Sequence, residues 1–427
     1  MSCILLLAIL LLVLLILGIP VSFALALSAI TVIHLYGMTS VTNVSQLMFS
    51  SLDSFVLVSL PFFILAGVIM SRGNLAKPLF AFSETLLSFI PGGLAAATII
   101  TCVVFAAISG SSLANAAVIG MLAVPMLKEQ GYPLEFGTAL VGSGGTLGIL
   151  IPPSITMILF GSITDESVGK LFAAGLLPGV VIGIALCVLS IIISKVKGYG
   201  KKPKNLNLTE LRRRFYVAAP ILSMPIVILG GIYTGILTPT EAGVVACIYS
   251  LFFVLFIFRT IKVKEIIDVF AEAAQTSGMI LFIVMGAMLF GFVVTVKQVP
   301  QALLEVVLEH GLSWPILMIF LNLLLLGLGC FLDVVSCMLI TVPIAFPLFK
   351  NLGVDPLHLA VVYTINMEIA TVTPPIGMNL FVLSSACDVQ IEKIVKGMLP
   401  FYVLLILALV LIAYVPIIST WLPSTMK

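Results

Sequence analysis

Two carboxylates sit where a carboxylate is expensive. Asp333 lies in a small, polar stretch, 329–336 (GCFLDVVS), and Glu368 lies five residues before Thr373, each inside a long apolar run. An ionisable side chain at membrane depth needs a partner or a function. For Asp333, the neighbouring carbonyls of Gly329 and Cys330 would complete an oxygen-only shell of the kind that holds a hard cation. The competing assignments are a helix cap and a buried pair with a lysine. Glu368 is expected to pack against a partner or a water. The first half of the chain offers neutral oxygens instead: Ser109, Ser111, Ser112 and Asn115 within 109–115 (SGSSLAN). Sodium accepts hydroxyls and carbonyls, although small residues of this kind also serve helix packing in membranes.

Each polar cluster is followed by a helix breaker. The stretches 142–154 (GSGGTLGILIPPS) and 370–377 (ATVTPPIG) interrupt apolar segments at about 136–160 and 359–385. Glycine costs a helix about 1 kcal/mol per site, and proline about 3 kcal/mol together with a lost donor. Freed N–H and C=O groups at membrane depth are tolerated only where they line a cavity or a bound ligand. The breaks are therefore expected to build a binding site. Half-helices starting after Pro153 and Pro375 would offer N–H groups to an anion. Ser112, Asn115, Thr146, Ser154 and Asn379 are the candidate substrate contacts. Pro152 and Pro374 are 374 − 152 = 222 residues apart, and the same offset links Pro125 to Pro347, Lys128 to Lys350, and Gly131 to Gly353. Paired breaks in two halves are the best sequence pointer to a transporter site.

The elements that position these groups must be membrane helices. The 427 residues are 61% hydrophobic and 9% charged, with a mean hydropathy of +1.30, against about a quarter charged in soluble domains. A formal charge of +2 and no run of Lys and Arg interleaved with aromatics set nucleic acid aside. Seven cysteines are scattered singly and read as small apolar residues. Segment 2–18 has neither the basic flank nor the cleavage site of a signal peptide and reads as a retained helix.

Runs able to cross about 30 Å of hydrocarbon define a first half, 1–200, with segments at 2–18, 21–37, 54–71, 92–124, 134–160 and 171–194. A polar linker, 201–215, leads to a second half, 216–427, with segments at 216–235, 239–258, 275–296, 313–347, 357–385 and 396–421. The runs 92–124 and 313–347 carry their polar tips halfway along and read as re-entrant hairpins; 134–160 and 357–385 read as broken helices. Each half then has five crossings and one hairpin. Five is odd, so the sequence predicts an all-α inverted repeat with about eleven transmembrane helices. With the linker in the cytoplasm, only Lys170, Lys297, Lys350 and Lys427 of the 20 Lys and Arg fall outside, which predicts periplasmic termini.

No catalytic constellation is present. The three histidines (34, 310 and 358) have no Ser, Cys or carboxylate at motif spacing, and no GxxxxGK[ST] loop exists to cradle ATP phosphates. A membrane hydrolase would need two apposed groups at depth, and Asp333 and Glu368 stand in settings better suited to ions. A passive channel would not explain the duplication.

The stretches 144–154 (GGTLGILIPPS), 171–179 (LFAAGLLPG), 238–242 (TPTEA) and 373–381 (TPPIGMNLF), in this order, resemble the large membrane subunit of tripartite ATP-independent periplasmic (TRAP) transporters, the DctM-like proteins. The resemblance covers essentially the whole chain. It implies an elevator-type secondary transporter of the bacterial inner membrane, in which hairpins and broken helices slide against a scaffold. It implies sodium-coupled uptake of an organic acid, such as a C4-dicarboxylate, a keto acid or sialic acid, delivered by a periplasmic binding protein. It also implies a small four-helix membrane subunit on the scaffold, and no organic cofactor. By position, one sodium (Na+) site would fall on Ser109, Ser111, Gly148, Ile151 and Pro153, and the other on Gly329, Asp333, Thr373, Ile376 and Gly377, largely through main-chain carbonyls. The family often has glycine where this chain has Ala370. The alternative within transport is a self-contained sodium/carboxylate symporter that needs no binding protein.

Overall fold

A computed structural model describes residues 2–203 and 205–426; Met1, Lys204 and Lys427, the last two among the charges weighed above, lie outside the described residues. Every regular element among the described residues is helical. Among the described residues eight helices, such as Phe55–Arg72, Val168–Lys197 and Leu208–Tyr233, are long and apolar enough to cross a membrane. Shorter apolar helices, among them Gly93–Ser109 and Trp314–Gly329, supply the rest. The chain is a multi-pass membrane protein.

Both hairpins form, and their reversals follow from local chemistry. Gly93–Ser109 turns into Ser112–Glu129 through Gly110 at φ +60°, and the Ser111 hydroxyl accepts the Ala114 N–H (3.4 Å) to start the second arm. Trp314–Gly329 turns into Val334–Asn351, where the Asp333 carboxylate accepts the Ser336 N–H (3.0 Å). Both predicted helix breaks are also present. Leu134–Thr146 tightens into a 3-10 turn, Leu147–Ile149, and resumes at Ile155–Thr164; Pro356–Thr371 resumes at Met378–Cys387. Each break contains a cis Pro–Pro bond, at 152–153 and 374–375.

Contacts between the halves are reciprocal. Val21–Leu35 packs on Ile266–Val296, and Phe55–Arg72 packs on Pro239–Phe252. The second pair is pinned by Thr240 Oγ1 donating to the Phe55 carbonyl (3.0 Å) and Cys247 Sγ to the Phe62 carbonyl (2.9 Å). The second arm of each hairpin packs on the distal half-helix of the other half: Ser112–Glu129 on Met378–Cys387, and Val334–Asn351 on Ile155–Thr164. Likewise Ile391–Tyr414 packs on Leu134–Thr146, while Val168–Lys197 packs on Pro356–Thr371.

Several boundaries differ from the sequence reading. The helix expected at 216–235 begins at Leu208, inside the expected linker, because Asn207 Oδ1 caps the Glu210 N–H (3.2 Å) and charged residues extend the helix beyond its apolar run. For the same reason the helix expected at 275–296 spans Ile266–Val296 and takes in Asp268 and Glu272. The last segment is split at Val415–Pro416 into Ile391–Tyr414 and Ile417–Ser424. Three helices fall outside the apolar runs read from the sequence: Val41–Ser50, Ala76–Leu86 and Val299–Glu309 are short and amphipathic. Each buries one apolar face against the longer helices, and none is long enough to span.

Candidate functional site

The two hairpin tips face one cavity of about 460 Å³. Residues 109–114 and 333–336 line it, together with Ile149, Ile155, Thr156, Thr371 and Met378 from the broken helices. The scaffold contributes two stripes at helical spacing: Ile64, Gly67, Val68 and Ser71, and Glu272, Thr276, Ile280 and Ile283. Four helices begin here, Ser112–Glu129, Ile155–Thr164, Val334–Asn351 and Met378–Cys387. Each brings unpaired N–H groups and the positive end of its dipole. Ser111, Ser154 and Asp333 cap three of them; the fourth starts from Gly377 at φ +55° without a side-chain cap. Among the described residues the lining holds two carboxylates, Glu272 and Asp333, and no Lys, Arg or His.

On the first side, tip and break meet backbone to backbone. A Cβ added to Gly148 would stand 3.0 Å from the Ser111 carbonyl oxygen and the Ser112 nitrogen, and one on Gly110 would stand 2.8 Å from the Pro153 carbonyl oxygen. Among the described residues nothing donates to the carbonyls of Ile151 and Pro153. Ser109 is buried on the cavity wall, and its carbonyl lies against Gly67 of the scaffold, where a Cβ would stand 2.9 Å away. The tip and the break thus approach at Ser111 with Gly148 and at Gly110 with Pro153, where hydroxyl and main-chain oxygens are of the kind that suits sodium; Ile151 packs against Gly179 instead.

The second side is joined differently. The Gly377 N–H donates to the Cys330 carbonyl (3.2 Å), and a Cβ on Gly329 would stand 2.6 Å from the Ala370 methyl, so Ala370 fits because position 329 is glycine. Asp333 lines the cavity, and its carboxylate also accepts the Ser336 hydroxyl. The Thr373 hydroxyl is taken up by the Ile369 carbonyl (2.6 Å), and Ile376 is 38% exposed on the outer surface of the break. The first break is wholly buried, whereas Pro374, Pro375 and Ile376 are exposed.

Of the candidate substrate contacts, Ser112 lines the cavity. Asn115 stands behind the tip as a clip, its Nδ2 donating to the Cys102 carbonyl (2.9 Å) and the Gly145 carbonyl (3.4 Å). The Thr146 hydroxyl donates to the Ser143 carbonyl (2.8 Å), and Ser154 is consumed by the Ile149 carbonyl and the Met157 N–H. Asn379 Nδ2 donates to Thr371 Oγ1 (3.0 Å) and so reaches the wall through that threonine. Glu368, expected to find a partner or a water, is fully enclosed, and neither carboxylate oxygen has a partner among the described residues.

Glu272, Thr276, Thr156 and Thr371 belong to the wall but escaped the sequence reading. Glu272 was hidden by an apolar window that began at 275. The signal that would have found it is its spacing, one turn before Thr276 and two before Ile280, on a single helical face.

A family model described as the DctM component of the tripartite ATP-independent periplasmic transporter matches residues 8–418. The C4-dicarboxylate TRAP transporter large permease protein DctM of Pseudomonas aeruginosa is 39% identical over 401 residues, 94% of each chain. The sialic acid TRAP transporter large permease protein SiaM of Vibrio cholerae is 33% identical over 407 residues, 95% of each. Among solved structures, the YdaH transporter of Alcanivorax borkumensis superposes with a TM-score of 0.62 at 14% identity, covering 88% of this chain and 87% of that one, a likeness of fold alone.

Proposed function

The chain belongs to the DctM component family of tripartite ATP-independent periplasmic transporters, as a large permease subunit and not an enzyme, and from that membership we propose that it carries out sodium-coupled uptake of a small carboxylate across the bacterial inner membrane. The cavity carries this reading. Four helix N-termini converge on one space that, among the described residues, has no basic side chain in its wall, an arrangement that holds an anion by N–H groups and dipoles. The oxygen clusters beside each tip would take the sodium ions. Asp333 then adds a full negative charge on the cation side of its tip and opposes the anion less once a cation is held there.

In this reading the hairpins and broken helices move as one body, since each hairpin is tied to its own break and to the distal half-helix of the other half. The Gly67 contact with the Ser109 carbonyl leaves no side chain to catch as that body slides along the scaffold. The small membrane subunit would sit on the scaffold, and a periplasmic binding protein would deliver cargo, as the family description suggests. The halves form an inverted repeat, and the Arg72 side of the scaffold faces the cytoplasm by charge distribution.

The test is uptake into proteoliposomes holding this chain and its small membrane subunit, with C4-dicarboxylate and sialic acid offered in turn. With no phosphate-binding loop, accumulation must draw on ion gradients and membrane potential, worth about 2.3 kcal/mol per charge per 100 mV. An inward sodium gradient should drive uptake only when the loaded binding protein is outside, and an inside-negative potential should not slow it. Uptake without the soluble protein favours the self-contained symporter; uptake indifferent to sodium rejects the proposal.

A further inference from the structure

The cavity wall holds buried and open residues side by side. Ser109 and Ser112 at the first tip are buried, whereas on the scaffold the side chain of Glu272 is 44% exposed and is held by Arg72, 56% exposed. Both Nε (2.9 Å) and Nη2 (2.6 Å) of Arg72 donate to one oxygen, Oε2, of Glu272. Glu272 lines the cavity, as does Ser71, the chain neighbour of Arg72. The guanidinium thus stands beside a wall that, among the described residues, has no Lys, Arg or His of its own, and is occupied by a carboxylate of the protein.

We propose that Arg72 recognises the anion beside this wall of the cavity, leaving Glu272 for a carboxylate of the cargo and returning to it when the cargo has gone. The inference rests on the carboxylate reading above and adds the residue that admits or releases the anion. The exchange is inexpensive, because an ion pair this open to solvent contributes little net stability. It replaces one carboxylate by another in front of a planar fork that fits either. With both donors on a single oxygen, the native pair does not use the paired two-oxygen geometry that a free carboxylate can offer. The pair is not required to hold the scaffold together either, since Phe55–Arg72 and Ile266–Val296 also pack against one another along their lengths. Between cargoes, Glu272 keeps Arg72 oriented, and Arg72 cancels a charge that would otherwise repel an anion from the wall.

A strut and an exchangeable pair differ in sign. Arg72→Gln and Glu272→Gln both break a strut and should then act alike. If Arg72 exchanges partners, Arg72→Gln raises the KM for succinate about tenfold, the loss of a charge-assisted hydrogen bond. Glu272→Gln, which frees the guanidinium, should instead lower KM severalfold and lower kcat as release slows. Arg72→Lys, which keeps the charge and loses the fork, should fall between wild type and Arg72→Gln. The assay is sodium-driven uptake of succinate presented by the loaded binding protein to proteoliposomes holding this chain and its small membrane subunit; should the wild type carry sialic acid instead, that anion replaces succinate. A wild type that carries no C4-dicarboxylate, keto acid or sialic acid overturns the functional reading itself. A wild type that transports, with both Gln variants shifting KM the same way or not at all, overturns the role of Arg72 alone.

Discussion

Gly148 meets Ser111 main chain to main chain: a Cβ on the glycine would lie 3.0 Å from the serine carbonyl oxygen. This contact brings the first break and the first tip close enough for one ion to touch both. Gly148→Ala should therefore insert normally, lower the thermal midpoint by a few degrees through overpacking worth about 1–3 kcal/mol, and weaken the sodium dependence of uptake about tenfold. Gly230→Ala, inside helix Leu208–Tyr233 where a Cβ meets nothing within 4 Å, is the control and should leave sodium dependence unchanged without lowering the midpoint. Unaltered sodium dependence in a stable Gly148→Ala protein would show that tip and break do not share an ion.

Asp333 both caps a helix and lines the cavity, and two substitutions separate these roles. Asparagine caps as well as aspartate, while alanine forfeits about 1 kcal/mol. Asp333→Asn is expected to keep wild-type thermal stability and lose sodium affinity, and Asp333→Ala to lose both. If the Asn variant retains the sodium dependence of the wild type, Asp333 is a cap and nothing more.

How much of this was legible in the sequence depended on whether a residue's role was local. Glycine and proline runs announce a break wherever they occur, so the sequence alone places both breaks and both tips. The face a polar side chain presents is set by tertiary packing instead. Asn115, Thr146 and Ser154 carry the right oxygens next to the right breaks, and each turns its group to a neighbouring carbonyl. Glu272 was missed for the opposite reason: it stands on a charged extension of a helix whose apolar core begins later. Only the pairing of Ile266–Val296 with Val21–Leu35 and Phe55–Arg72 brings it to the wall.

Asn115 should behave as a clip rather than a ligand. Asn115→Leu removes the donor shared by the Cys102 and Gly145 carbonyls, at about 0.5–1.5 kcal/mol for each hydrogen bond lost, since the Gly145 carbonyl keeps the Leu147 N–H. Asn115→Asp should be worse, because it sets an acceptor against two acceptors. Both are read as thermal midpoints in detergent without substrate. A Leu variant of wild-type stability with a raised KM would return Asn115 to the substrate-contacting set.

The orientation prediction rests on the distribution of Lys and Arg and is independent of the site. The rule counts basic residues and gives acidic ones little weight, so the pairing of Arg214 with Glu210 (2.6 Å) and Glu84 (3.3 Å) does not weaken it. Lys202, exposed in the linker, should face the cytoplasm, and Ser424, exposed near the other end of the chain, should face the periplasm. Of the seven native cysteines five are buried; Cys187 and Cys387 are partly open and are replaced first. Single cysteines at positions 202 and 424 are then labelled with a membrane-impermeant maleimide in right-side-out and inverted vesicles. Position 424 should react in the first and position 202 in the second. Reaction of both in the same vesicles would place the linker and this end of the chain on one face. The second half would then cross the membrane an even number of times, which the five-crossing inverted repeat forbids.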